Sequence, residues 1–167
     1  MIGMQTQTLF RILMVSAVVS LAIPILLCRS GAIAARQPAP SVFGTWKGDS
    51  TCRGNRPACK NEVVVYRFEA VAGKPDVILW FADKIVEGKR EPMGKAEMHY
   101  DQAKGELSWE FTVRQNHGLW QFKVSVDTME GTLVLLPNRE LVRVVKVKRV
   151  SEKDVPLAPA RELYDEP

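Results

Sequence analysis

The sequence predicts an all-β protein: an eight-stranded antiparallel up-and-down barrel, preceded by a signal peptide and followed by a short irregular tail. Three observations carry this. From Val42 onward apolar residues recur at every second position, the period of extended chain. Turn signals separate the apolar runs at short range, and short loops join antiparallel neighbours, because a parallel crossover needs about a dozen residues or more. No amphipathic helical window of useful length lies between them. A meander of such strands either leaves two edges exposed or closes on itself, and closure removes the aggregation-prone edges. A two-sheet sandwich is the competing arrangement.

The elements follow in chain order. "SVFGTWKGDS" forms the first strand, and "EVVVYRFEA" the second, with Val64, Tyr66 and Phe68 on one face. "DVILWFADKIV" is apolar on both faces, setting Val77, Leu79 and Phe81 against Ile78, Trp80 and Ala82. "KAEMHYD" offers Ala96, Met98 and Tyr100 as the fourth strand. The clearest alternation is "ELSWEFTVR", where Leu107, Trp109, Phe111 and Val113 share one face, and "LWQFKVSVD" repeats it with Trp120, Phe122, Val124 and Val126. "GTLVLL" and "ELVRVVKVKRV" complete the set. The last changes phase near Val144 and Val145, which predicts a bulge there. Between the runs, "EAVAGKPD", "VEGKREPMG", "DQAKGE", "RQNHG", "DTMEG" and "LPNRE" supply the Gly, Pro, Asn and Asp of reversing chain.

Ahead of this domain, Arg11 precedes the apolar run "ILMVSAVVSLAIPILL", and Ala32 and Ala34 stand three and one residues before Ala35. That is the charged, apolar and small-residue layout of a secretory signal, so the expected segments are a signal peptide over 1–34, the barrel over 35–150 and a tail over 151–167. The expected location is the periplasm or the cell exterior, with the membrane met only in transit. The alternatives are an uncleaved anchor, since the run approaches the roughly 20 residues that span a bilayer, and acylation at Cys28, against which Leu27 stands. Loss of residues 1–34 leaves Cys52 and Cys59 as the only cysteine pair, which in an exported chain reads as a disulfide. Zinc needs three or four N or S ligands, and His99 and His117 are too distant to supply them, so no metal or cofactor is expected. The signal removes Arg11 and Arg29 and no acid, which lowers the formal charge of +4 by two. An excess that small does not argue for nucleic acid.

"FGTWKG", with Gly44 and Trp46 entering the first strand, and the basic "RVVKVKR" of the last resemble the lipocalin-like barrels of the calycin group. The resemblance implies that Trp46 packs at a closed end of the barrel with an arginine of the last strand across its ring, a role open to Arg149 or Arg143. It also implies a lumen. The inward faces then present Tyr66, Phe68, Phe81, Met98, Tyr100, Trp109, Phe111, Trp120 and Phe122, a set that encloses a small apolar molecule with tyrosine hydroxyls orienting it. The alternatives are a barrel filled by those rings, and an interaction module or inhibitor that presents the disulfide loop "CRGNRPAC" to an exported protein through Arg53, Arg56 and Lys60, since a constrained loop loses little entropy on docking. Catalysis is not expected. Glu62, Glu97, Glu106 and Glu110 fall at strand starts or on polar faces, and neither "MHYD" nor "QNHGLW" holds a nucleophile at a diagnostic spacing.

Overall fold

A computed structural model describes residues 40–165. The expected signal segment over 1–34, with Cys28, lies outside the described residues. Eight antiparallel strands close into a barrel in which every strand pairs with its sequence neighbours and β8 returns to β1. The strands are β1 (Gly44–Cys52), β2 (Glu62–Val71), β3 (Lys74–Val86), β4 (Lys89–Asp101), β5 (Glu106–Val113), β6 (Asn116–Val124), β7 (Thr128–Leu135) and β8 (Glu140–Val150). Among the described residues no helix is long and apolar enough to cross a membrane.

The register explains the alternation. Trp46 pairs with Tyr66, Tyr66 with Ala82, Phe68 with Trp80, Ile78 with Met98, and Leu107 with Phe122, so these side chains share the inner face and form one core. Gly118 and Gly131, expected in turns, lie inside β6 and β7 instead. Each faces a ring on its partner strand: a Cβ on Gly118 would come within 2.5 Å of Phe111, and one on Gly131 within 2.3 Å of Phe122. Only glycine lets those rings lie across the neighbouring strand.

Three further readings are corrected. β8 keeps one inward phase from Arg143 through Val145 and Val147 to Arg149; the irregularity lies earlier, where Leu133 pairs with Arg143 and Val134 with Leu141. The stretch "VEGKREPMG" is a turn only at Glu87 and Gly88, and from Lys89 onward it belongs to β4. Phe81 is buried, yet it points away from the lumen: it pairs with Arg67 on the outer face, while Trp80 occupies the inner one.

The outer face at Phe81 is covered by the tail, which docks through two short 3-10 turns, Glu152–Asp154 and Arg161–Tyr164. The Tyr164 ring stands edge-on to Phe81 at 5.1 Å, and the guanidinium groups of Arg67 and Arg161 lie 4.4 and 5.2 Å from the Phe81 centroid. Beside them Asp83, fully buried, accepts from Arg90 Nε at 2.7 Å and from the Tyr164 hydroxyl at 2.5 Å. Glu152 in turn takes Arg90 at 3.3 Å and the Thr45 hydroxyl. A charge pair this deep is retained only when hydrogen bonds satisfy it from several sides. The tail supplies two of those bonds.

Candidate functional site

The two ends of the barrel differ. At the end where β1 begins, Gly44 has φ +107°, a backbone conformation that favours glycine, and turns the entering chain into the strand. The Trp46 indole N–H donates to the Val42 carbonyl at 2.9 Å, and the Tyr100 hydroxyl donates to the Pro40 carbonyl at 3.3 Å. Arg149, the direct partner of Trp46 in the β1/β8 register, lies over its ring at 4.2 Å and donates to the carbonyls of Phe43, at 2.5 Å, and Ser41. Of the two arginines open to this role, Arg149 takes it. A guanidinium on an indole contributes about 0.5–2 kcal/mol, and the carbonyl bonds fix the entering segment as a plug. Phe68, Met98, Tyr100 and Phe122 are all buried in the core packed on this plug.

Toward the opposite end the packing stops. A cavity of about 320 Å³ is walled by Tyr66, Trp80, Trp109 and Trp120, with Ser50, Glu62 and Arg143 at one side and Met93–Ala96 of β4 at the other. The Trp80 ring centroid stands 5.2 Å from Tyr66, 5.7 Å from Trp120 and 6.1 Å from Trp109, each pair close to edge-on. Edge-to-face contact is the arrangement aromatic quadrupoles favour, so the walls are held apart at defined angles. Phe111 stacks on Trp109 at 4.8 Å, at the rim. Of the nine residues expected to line the lumen, Tyr66, Trp109 and Trp120 face this space. Phe68, Met98, Tyr100 and Phe122 fill the barrel beneath it, Phe111 supports Trp109, and Phe81 lies outside. Trp80 is the aromatic wall residue missed, because its strand is apolar on both faces, and the lining residues from β4 and the polar corner were not expected either.

The polar corner is a small network. Arg143 donates to the Ser50 hydroxyl at 2.6 Å and the Lys60 carbonyl at 2.7 Å, and pairs with Glu62 at 2.8 Å. Glu62, expected to be solvated, is half-buried there. Burial pushes the Tyr66 phenol well above its ordinary value, a rise that Arg143 and a hydrogen bond with Ser50 oppose. The phenol therefore meets any occupant in its neutral form. Trp80, 5 % exposed, keeps its indole N–H buried without a partner among the described residues. A buried donor left unbonded costs about 1–3 kcal/mol, a cost that an acceptor on an occupant would remove.

The cavity opens at the mouth and also sideways. β4 and β5 pair only over His99–Ser108, Tyr100–Leu107 and Asp101–Glu106. Above these, Lys89–Met98 has β3 on one side and Trp109–Val113 has β6, with no ladder between the two stretches. Met93, Gly94, Lys95 and Ala96 on one lip and Trp109 on the other are also cavity residues, so the seam leads into the cavity.

At the mouth the Cys52–Cys59 disulfide is formed, with Cα atoms 6.0 Å apart. Its loop is tied to the barrel: Arg53 N–H donates to the Val142 carbonyl at 2.7 Å, Asn61 Oδ1 accepts from Cys52 N–H at 2.8 Å, and Arg56 pairs with Glu140 at 2.8 Å. Arg56 is thus a strut, and Arg53 and Lys60 are the loop's exposed cations. No protein-family model, curated protein or solved structure matches the chain.

Proposed function

We propose that the protein is an exported, non-catalytic binding protein of lipocalin-like type that holds a small, largely apolar molecule in the upper third of its barrel. The observation that carries the reading is the cavity walled by Tyr66, Trp80, Trp109 and Trp120. Its volume is at the low end of ligand pockets, roughly 300–1,000 Å³, and its makeup matches theirs: aromatic walls with a few convergent polar groups. The indole N–H of Trp80 and the neutral phenol of Tyr66 provide orientation. Export is supported by the signal-like N-terminal segment and by a disulfide, which belongs to oxidising compartments. Likeness to lipocalins is supported by the closed eight-stranded barrel and by Arg149 over Trp46.

Titration of the oxidised protein with N-phenyl-1-naphthylamine, a neutral two-ring probe, followed by tryptophan quenching and native mass spectrometry, tests this. One probe is expected to add per chain. Trp109→Ala removes a wall and is expected to weaken binding by about tenfold, the order of one lost aromatic contact, while Leu157→Ala, on the exposed tail, changes nothing. Absence of an adduct, both with this probe and with a library of hydrophobic metabolites, overturns the reading.

A further inference from the structure

The strand connections at the mouth are the β1–β2, β3–β4, β5–β6 and β7–β8 turns, because an up-and-down barrel sends alternate turns to opposite ends. Five cations sit on or beside them, all exposed and without a carboxylate partner among the described residues: Arg53, Lys60, Lys89, Arg114 and Arg139. Arg139 bonds only the Gln121 amide, at 3.2 Å. Against them stand two exposed carboxylates without a Lys or Arg partner among the described residues, Glu87 and Glu110, the latter bonded to the His117 ring at 2.7 Å. The plugged end is more evenly balanced: Lys74 pairs with Glu97 at 2.9 Å, Lys104 with Asp101 at 2.8 Å, Lys123 with Glu106 at 3.0 Å and Arg149 with Asp127 at 3.6 Å, and the exposed Lys148 and Lys153, without a carboxylate partner among the described residues, are offset by Asp76 and Asp154 in the same condition. The modest net charge of the chain thus conceals a polarity among the described residues, whose unpaired positive charge is concentrated around the mouth of the aromatic cavity.

Inside the opening the polar groups favour the same sign. Arg143 has five N–H donors, of which two hydrogen-bond the Ser50 hydroxyl and the Lys60 carbonyl while Glu62 pairs with its charge, and the Trp80 N–H is unpartnered. The corner offers donors to an acceptor-rich group, and the collar above it adds a field that low-dielectric walls focus. We propose that the ligand is an anionic amphiphile, with a planar apolar body between Trp80, Trp109 and Trp120 and an acidic head group at the mouth. This rests on the binding reading above and adds the ligand's charge and orientation to it. A sulfonate, carboxylate or phosphate satisfies the chemistry, whether on a free metabolite or as a lipid head group.

The test compares 1-anilinonaphthalene-8-sulfonate with N-phenyl-1-naphthylamine, which share a ring system and differ in the charge. In about 20 mM salt the sulfonate is expected to bind roughly tenfold more tightly, and at about 0.5 M salt, where screening reaches within a few ångströms, the preference falls below about twofold. Lys89→Glu with Arg114→Glu, at the two turns that flank the lateral seam and outside the cavity lining, is expected to abolish the preference and leave the neutral probe's affinity unchanged. Equal affinities for the two probes, or a preference that survives in the double variant, overturns the anionic assignment while the binding reading stands; failure of both probes to bind overturns both. Sedimentation with phosphatidylglycerol vesicles but not phosphatidylcholine vesicles, lost in the double variant, assigns the head group to a lipid. A sulfonate preference without sedimentation assigns it to a free anion.

Discussion

Tyr66 couples the cavity floor to pH. Its phenol is buried and its ionisation is pushed up by that burial, whereas in the unfolded chain it titrates near the ordinary value of 10.0. Below pH 10 both states hold the proton and the contribution to stability is complete. Above pH 10 the unfolded state releases it and the folded state does not, so stability falls as pH rises, by about 1.4 kcal/mol per pH unit for one such group. The urea midpoint is expected to drop between about pH 9 and 11, and Tyr66→Phe to flatten that drop by roughly one group's slope. An unchanged slope in the variant means the phenol is not the group that titrates. Trp109 and Trp120 were legible as lining residues because their strands alternate cleanly between apolar and polar positions, and Tyr66 because it shares its phase with Val64 and Phe68 in a strand whose alternation is looser. Arg143 and Arg149 were not separable in sequence, since both occupy the inward phase of β8; only the β1/β8 register, which sets Arg149 opposite Trp46 and Arg143 opposite Cys52, distinguishes plug from mouth.

Among the elements, β3 shows why periodicity alone misassigns a face. "DVILWFADKIV" is apolar on both sides because both are covered, the inner by the lumen and the outer by the tail. A pattern of period two then fixes the strand but not its phase, and Phe81 and Trp80 exchange places. The tail's own sequence, interrupted by Pro156 and Pro159, carries no period to announce that it docks; Tyr164 is buried while Leu157 and Leu163 remain exposed. It is anchored by the Tyr164 ring on Phe81 and by buried Val155, and by two polar contacts, the Tyr164 hydroxyl on Asp83 and Glu152 on Arg90. Tyr164→Phe keeps the ring contact with Phe81 and removes only the hydrogen bond to a buried carboxylate, which is expected to cost about 1.5–3 kcal/mol in urea denaturation. A change below about 0.5 kcal/mol, the size of an ordinary surface substitution, would show that Asp83 is satisfied by Arg90 alone.

For the whole molecule the decisive feature is that closure is uneven. All eight strands meet in one barrel, and this much follows from eight alternating runs with short turns between them. The β4/β5 contact, however, holds at one end only, and the reason is written in β4. Pro92 lacks an N–H, and Gly94, at φ +141°, lies where β4 slips its register against β3, between the Ala82–Gly94 and Asp83–Pro92 pairs, a bulge that bends this stretch of the strand. Residues of this kind in "EPMG" read equally well as a turn, because a breaker has the same composition whether it reverses the chain or leaves one edge of a strand unpaired. Glu91, Lys95, Glu97 and Glu110 line these lips with exposed charge, a device that discourages edge-to-edge association. In a strand, successive N–H groups point to opposite neighbours, so about half of the amides in 89–97 and in 109–113 face the seam rather than a ladder. Hydrogen exchange is expected to find those amides far less protected than their neighbours in the same strands and than β2, which is paired on both sides. A ligand held between Ala96 and Trp109 should slow that exchange selectively, since it occupies the space through which the seam opens. Uniform protection along β4 in the free protein, equal to that of β2, would mean that the two strands close their ladder in solution, and the cavity would then have the mouth as its sole entrance.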